Sequence, residues 1–291
     1  MDMEAKELIK KVRKIEIKTR GISNQVFAGS YQSAFKGRGM AFTEVREYQF
    51  GDDIRSIDWN VTARFNHPYV KIFEEERELT VMLLIDVSGS NEFGSRQQLK
   101  EEMITEIAAV LAFSAINNND KVGVIFFSSI IEKFIPPKKG STHILRIIRE
   151  LIDFKPRQQG TDIAGALKYM RNVIKKKSVA FLISDMQDEG FDDALSIVGK
   201  KHDLVGIRVF DPLEKEIPPL GLMRIRDAET GRIIWADTSS GSFRDNLKNW
   251  DLKHNDWLKQ AFTKASVDLT SISTEQDYVP PLIGLFKRRI H

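Results

Sequence analysis

The sequence predicts an α/β fold: a doubly wound, mostly parallel sheet with one antiparallel edge strand and a β-rich N-terminal extension. Three observations predict it. From Leu79 onward, short apolar runs alternate with longer stretches of helical period, the rhythm of a parallel sheet with helices on both faces. The runs Thr80–Val87, Val122–Ser128, Val179–Ser184 and Leu204–Phe210 are nearly continuous in Val, Ile, Leu and Phe, as strands buried on both faces are. Ile130–Ile135 follows the second run almost at once and is stopped by Pro136-Pro137. So short a connection permits only an antiparallel neighbour, and prolines belong at a sheet edge.

Taken in order, Met3–Lys18 reads as an amphipathic helix with Leu8, Ile9, Val12 and Ile15 on one side. Tyr31–Glu78 is dense in charge and aromatics, with strands at Ala41–Tyr48 and Val70–Phe73. Residues 1–78 are therefore expected to form an extension packed against the sheet, and residues 79–291 the main domain. Within the latter, Leu99, Met103, Ile107, Val110, Leu111 and Ser114 stripe a helix over Arg96–Asn117, and Ser95 with Gln98 forms a capping box at its start. Further helices are predicted over His143–Phe154 and Asp162–Lys175. An insertion at about 213–264 holds a hairpin (Leu222–Ile225 and Arg232–Ala236) and a helix, Phe243–Lys264. Trp250, Trp257, Leu258 and Phe262 are expected on that helix's buried side, and Val267–Ile272 is the last strand.

Composition excludes several function classes. Of the 291 residues 42% are hydrophobic, enough to support a core, and none is cysteine, so disulfide scaffolds, thiolate zinc sites and cysteine nucleophiles are ruled out. Forty-four Lys+Arg against 41 Asp+Glu leaves +3, too balanced for a nucleic-acid binder. No apolar run approaches the ~20 residues of a membrane span, and Met1–Arg20 lacks a signal-peptide core. A cytoplasmic protein is the expectation. A nucleotide-binding P-loop and a Gly-x-Ser-x-Gly elbow are both missing from the sequence.

Open parallel sheets bind ligands at the carboxyl ends of their strands. The first run ends Asp86-Val87-Ser88-Gly89-Ser90, a helix opens at Gly160-Thr161-Asp162, and the third parallel run ends Ser184-Asp185. Two carboxylates (Asp86, Asp185) and three hydroxyls (Ser88, Ser90, Thr161) would converge on one sheet edge. Such an oxygen-only set suits a hard cation: Mg²⁺, with Mn²⁺ or Ca²⁺ of the same oxygen-seeking class.

Asp-x-Ser-x-Ser, then a Thr, then an Asp resembles the metal-ion-dependent adhesion site of von Willebrand factor A domains, and all five positions match. The resemblance implies that the serines and the threonine ligate Mg²⁺, that the aspartates act in part through water, and that a partner's Glu or Asp completes the coordination. A second resemblance is carried by Glu44-Val45-Arg46-Glu47-Tyr48, Gly51-Asp52-Asp53-Ile54-Arg55, Ile57-Asp58-Trp59 and Ala63-Arg64. This segment is similar to the bacterial domain-of-unknown-function-58 group, often encoded beside MoxR-type AAA+ ATPases. It implies such an ATPase, or another protein bearing an acidic residue, as partner. Many relatives carry two membrane spans; none is expected here, leaving at most peripheral association.

The sequence thus points to a non-enzymatic, Mg²⁺-dependent protein-interaction module. Two alternatives remain: a metal-dependent phosphoester hydrolase with Asp86 as its key carboxylate, and a structural adaptor with an idle metal site. In the adaptor reading Arg46, Arg55, Asp58, Trp59 and Arg64 form a docking face. The same segment also reads as an ion-pair network with Trp59 as a packing anchor.

Overall fold

The computed structural model describes residues 2–23, 31, 34–35, 40–65, 67–75, 78–89, 99–214, 216–226 and 233–289. The chain divides into two compact units, Met1–Ala34 with Thr80–His291 and Phe35–Leu79.

The larger unit opens with helix α1 (Asp2–Ile22) and is otherwise built on a six-stranded sheet. In the smaller unit, strands β1 (Met40–Glu47) and β2 (Tyr69–Glu75) pair antiparallel, with a register shift between Phe42 and Glu44. A 3-10 turn, Ile54–Ser56, is capped by Asp53, and helix α2 (Trp59–Phe65) follows.

The six sheet strands are β3 (Thr80–Asp86), β4 (Lys121–Phe127), β5 (Ile131–Lys138), β6 (Val179–Ser184), β7 (Asp203–Phe210) and β10 (Asp268–Ser273). Their order is β10-β7-β6-β3-β4-β5, and every pairing is parallel except that of β5 with β4. The predicted α/β architecture with one antiparallel edge strand is therefore the one observed. Strands β8 (Leu222–Arg226) and β9 (Ile233–Asp237) form the expected separate hairpin; its turn lies outside the described residues.

The prolines do not stop the edge strand: β5 runs through Pro136-Pro137 to Lys138. It passes so close to β4 that a Cβ at Gly123 would lie 2.9 Å from the Pro137 nitrogen. The register shifts between Val122 and Val124. A bulge beside a glycine at the sheet's edge absorbs the proline backbone, which has no N–H to offer a neighbour.

Helices cover both faces of this sheet. They are α3 (Lys100–Asn117), α4 (Ser141–Ile152), α5 (Ile163–Val173), α6 (Asp192–Lys201), α7 (Gly241–Lys264) and α8 (Val279–Arg289). Met82 and Leu84 of β3 pack in one cluster with Ile163 and Leu167 of α5, Leu195 of α6 and Phe262 of α7. Side chains alternate across a strand, so Leu83 and Ile85, equally buried, serve the opposite face. There α3 lies on the sheet and α1 packs on α3, with Lys18 paired to Glu106 at 2.5 Å and Ser23 hydrogen-bonded to Ser114 at 3.0 Å.

Two further sequence expectations need correcting. Leu99 is not in the buried stripe of α3: it precedes the helix as its N-cap and is exposed, while Lys100 beside it is fully buried. Ser95 and Gln98, the expected capping box, lie outside the described residues. Trp250 is exposed on α7 and stacks flat on His254, with rings 5.2 Å apart; Leu258 and Phe262 do face the core. Trp59 is 68% exposed.

Candidate metal centre

The order of the sheet reverses between β3 and β6. Chain leaving β3 passes through α3 to β4 on one side, and chain leaving β6 passes through α6 to β7 on the other. Divergent connections leave a crevice beyond the strand ends, the usual ligand position in such sheets. Asp86 ends β3, and Asp185 directly follows β6.

Asp86 is buried and held from two sides. Its Oδ1 accepts the backbone N–H of Ser88 at 2.9 Å, and its Oδ2 accepts the Ser184 hydroxyl at 2.6 Å. Burial pushes its pKa up to about 7; the Asp185 charge adds to the rise, and the hydrogen bonds from Ser184 and Ser88 oppose it. Ser88, also buried, lies in the turn after β3. Ser90, the third position of the motif, lies outside the described residues.

Thr161 reaches the same edge by a separate route. Its loop is tied to the end of β4 by the Asp162 N–H donating to the Ser128 carbonyl at 2.9 Å. It is tied to the loop after β6 by the Ile163 N–H donating to Asp188 Oδ2 at 2.8 Å. Asp162 itself caps α5, accepting from the Gly165 N–H at 2.7 Å. These bonds place the Thr161 loop beside the carboxyl ends of β3, β4 and β6. The Thr161 hydroxyl oxygen is buried and has no hydrogen-bond partner. Buried hydroxyls are ordinarily bonded, so this one has spare capacity for a ligand.

Asp185 is fully buried. One carboxylate oxygen accepts the Gln187 N–H at 3.2 Å, and the other lies 2.9 Å from the ammonium of Lys100. Lys100 also reaches Glu214 at 2.5 Å, in the 3-10 turn Pro212–Glu214 that follows β7. Burial works to lower the Lys100 pKa, but the two carboxylates outweigh it and hold it above its ordinary value. Burial in turn raises the Glu214 pKa against the pull of Lys100. Arg208 of β7 donates from Nε to the Asp185 carbonyl at 3.1 Å, which fixes the backbone at the strand end.

Beside Asp86 and Ser88 opens a small pocket of about 50 Å³, lined also by Val87, Glu101, Ile104, Leu151, Phe154 and Pro156. It has room for a few water molecules. No group of three His, Asp or Glu side chains able to hold a metal occurs among the described residues. Any cation would therefore rely on the two aspartates together with hydroxyls. That donor set, with the unpartnered Thr161 oxygen, fits a hard cation that retains part of its water shell.

The structure thus brings Asp86, Ser88, Thr161 and Asp185 to one edge. Sequence reasoning missed Lys100, Ser184, Glu214 and Arg208. Of these only Ser184, adjacent to Asp185 at a strand end, carried a signal in the sequence.

The five residues proposed for docking sit in the smaller unit. Arg46 makes a two-pronged pair with Asp52, both contacts at 2.8 Å, which with the neighbouring Gln49 N–H holds the Asp52 carboxyl below its usual range. Asp58 caps α2, accepting the Asn60 and Val61 N–H groups at 3.0 and 3.3 Å. Arg55, Trp59 and Arg64 are exposed. No helix among the described residues is long and apolar enough to cross a membrane.

Several known proteins are similar to this chain. The uncharacterized protein Rv1480 of Mycobacterium tuberculosis is 25% identical over 291 residues, covering 99% of this chain and 92% of its own length. Among solved structures, the conserved hypothetical protein BatB from Bacteroides thetaiotaomicron aligns with 72% of this chain and 98% of its own, at 17% identity and a TM-score of 0.49. The SpRpn10 VWA domain aligns with 73% and 95%, at 11% identity and a TM-score of 0.43. The model of the family described as "Protein of unknown function DUF58" matches residues 44–256, most of the chain, and the protein belongs to that family.

Proposed function

We propose that this protein is a non-enzymatic interaction module whose binding face is completed by a divalent cation, Mg²⁺ by preference. The observation that carries the reading is the unpartnered, buried hydroxyl of Thr161 at the sheet edge where Asp86, Ser88 and Asp185 also end. Asp86, Ser88 and Thr161 would hold the cation, Ser90 adding its hydroxyl, with Asp185 acting through water because Lys100 already engages it. The cation's chemistry is to attract a carboxylate oxygen of the partner into its free position. The protein's own part is to keep Asp86 oriented through Ser184 and Ser88, and to keep the Thr161 loop fastened through Asp162 and Asp188.

By family resemblance the partner is a MoxR-type AAA+ ATPase, or an acidic surface on a complex that such an ATPase remodels. Affinity capture on the full chain tests the reading: partner retention in Mg²⁺ should be lost on chelation and in Ser88→Ala. Retention unchanged by both treatments rejects cation-mediated binding.

One observation favours a second reading, an adaptor working through the smaller unit. Phe50, Ile54, Trp59 and Phe65 are all exposed there, alongside Arg55 and Arg64. Aromatic and arginine side chains are common anchors of interfaces. In that case Trp59→Ala would abolish capture while Asp86→Asn would not.

A further inference from the structure

Lys100 occupies an unusual position for a lysine. It is the first residue of α3, its side chain is wholly buried, and its ammonium bridges Asp185 at 2.9 Å and Glu214 at 2.5 Å. A buried ammonium is tolerated only where carboxylates compensate it, and here two do. The bridge joins the start of α3 to the ends of β6 and β7, so three segments meet on one charge.

The same ammonium opposes what the site is proposed to hold. A fixed positive charge in contact with Asp185 repels a dication nearby and occupies an oxygen that could otherwise face it. Glu214 moderates this, since it draws on the same ammonium and adds a negative charge of its own.

We infer that Lys100 is a resident counter-cation that holds Asp185 and Glu214 together and sets how tightly the site takes up a divalent cation. This rests on the reading above, that Asp86 and Asp185 face such a cation. It makes the metal affinity of this chain a property of the Lys100–Glu214 pair as well as of the ligands. The two residues act with opposite sign: removing the lysine's charge tightens cation binding, and removing the glutamate's charge weakens it. A purely structural role would move both variants the same way.

The test is a Mn²⁺ titration of the full-length chain, with free Mn²⁺ read by electron paramagnetic resonance. Wild type, Lys100→Gln, Glu214→Gln and the double variant are compared, each checked for folding by circular dichroism. Lys100→Gln should bind about tenfold more tightly than wild type and Glu214→Gln about tenfold more weakly. Where Lys100→Gln alone fails to fold, the double variant replaces it and must bind more tightly than Glu214→Gln. Wild type that binds Mn²⁺ while removal of the lysine leaves affinity equal or lower overturns this inference and leaves the metal centre standing. No uptake by any of the four overturns both.

Discussion

Ser184, the last residue of β6, donates its hydroxyl to Oδ2 of Asp86, the last residue of β3, at 2.6 Å. The bond spans the two strands between which the sheet reverses, so it couples the fold's central seam to the orientation of a candidate ligand. The Ser184 oxygen also accepts the Met186 N–H at 2.9 Å, which shapes the turn carrying Asp185.

Removing that hydroxyl leaves a buried carboxylate short of a donor and a backbone N–H short of an acceptor. Ser184→Ala should therefore lose about 2 kcal/mol of stability, read from urea unfolding near pH 8, where Asp86 is ionised. An unchanged midpoint would show that the bond contributes little to the native state.

The raised pKa of Asp86 gives a pH dependence of defined sign. Unfolded, the carboxyl titrates near 4; folded, at about 7 because of burial and Asp185. Between those values the native chain keeps a proton that the unfolded chain has released. The stability from this group is full below about pH 4 and is lost as pH rises through 7. A cation needs the ionised form, so Mg²⁺ affinity should climb between pH 6 and 8 and then level. Calorimetry in buffers of differing ionisation heat should detect proton release on binding at pH 6.5 that is nearly gone at pH 8.5.

His202 works in the opposite direction. Burial first, and the neighbouring Lys201 charge second, lower its pKa from 6.5 to about 4, while its Nδ1 shares a hydrogen bond with Ser178 at 2.9 Å. The stability it contributes is present above pH 6.5 and is lost as pH falls through 4. In an Asp86→Asn background, where the opposing slope is gone, unfolding free energy should fall on acidification from pH 6.5. Replacing His202 with Gln in that background should flatten the decline.

Gly165 guards the Thr161 loop. A Cβ there would lie 2.2 Å from Oδ2 of Asp162, the carboxylate that caps α5. Gly165→Ala should push Asp162 out of its capping position, at a cost of about 1 kcal/mol. The Thr161 loop should slacken with it. Mn²⁺ affinity should fall with the unfolding midpoint; a midpoint change with intact affinity would separate the cap from the site.

The strands were legible because burial on both faces leaves an unbroken apolar run, which β3, β4, β6 and β7 each display. Candidate ligands were legible for a related reason: once strand ends are known, polar residues there stand out. Lys100 was not, because a lysine in a helix's first turn ordinarily points to solvent, and its partner Glu214 lies 114 residues away in a turn without periodicity. Leu99 misled for the complementary reason: it fits the apolar stripe, yet α3 begins one residue later, and the charged neighbour turns inward. Trp250 reads as a core residue by its chemistry alone, whereas a stack on His254 satisfies it at the surface.

Thr161→Val offers the most direct measurement of the central claim, because valine keeps the shape of threonine and removes only the unpartnered hydroxyl. Thermal melts of the full chain with and without Mg²⁺ are compared for wild type and variant. Without the cation the variant should melt at or slightly above the wild-type temperature, since no hydrogen bond is lost. With millimolar Mg²⁺ the wild type should gain several degrees and the variant almost nothing. An equal Mg²⁺-dependent gain in both proteins, or none in the wild type, contradicts the account.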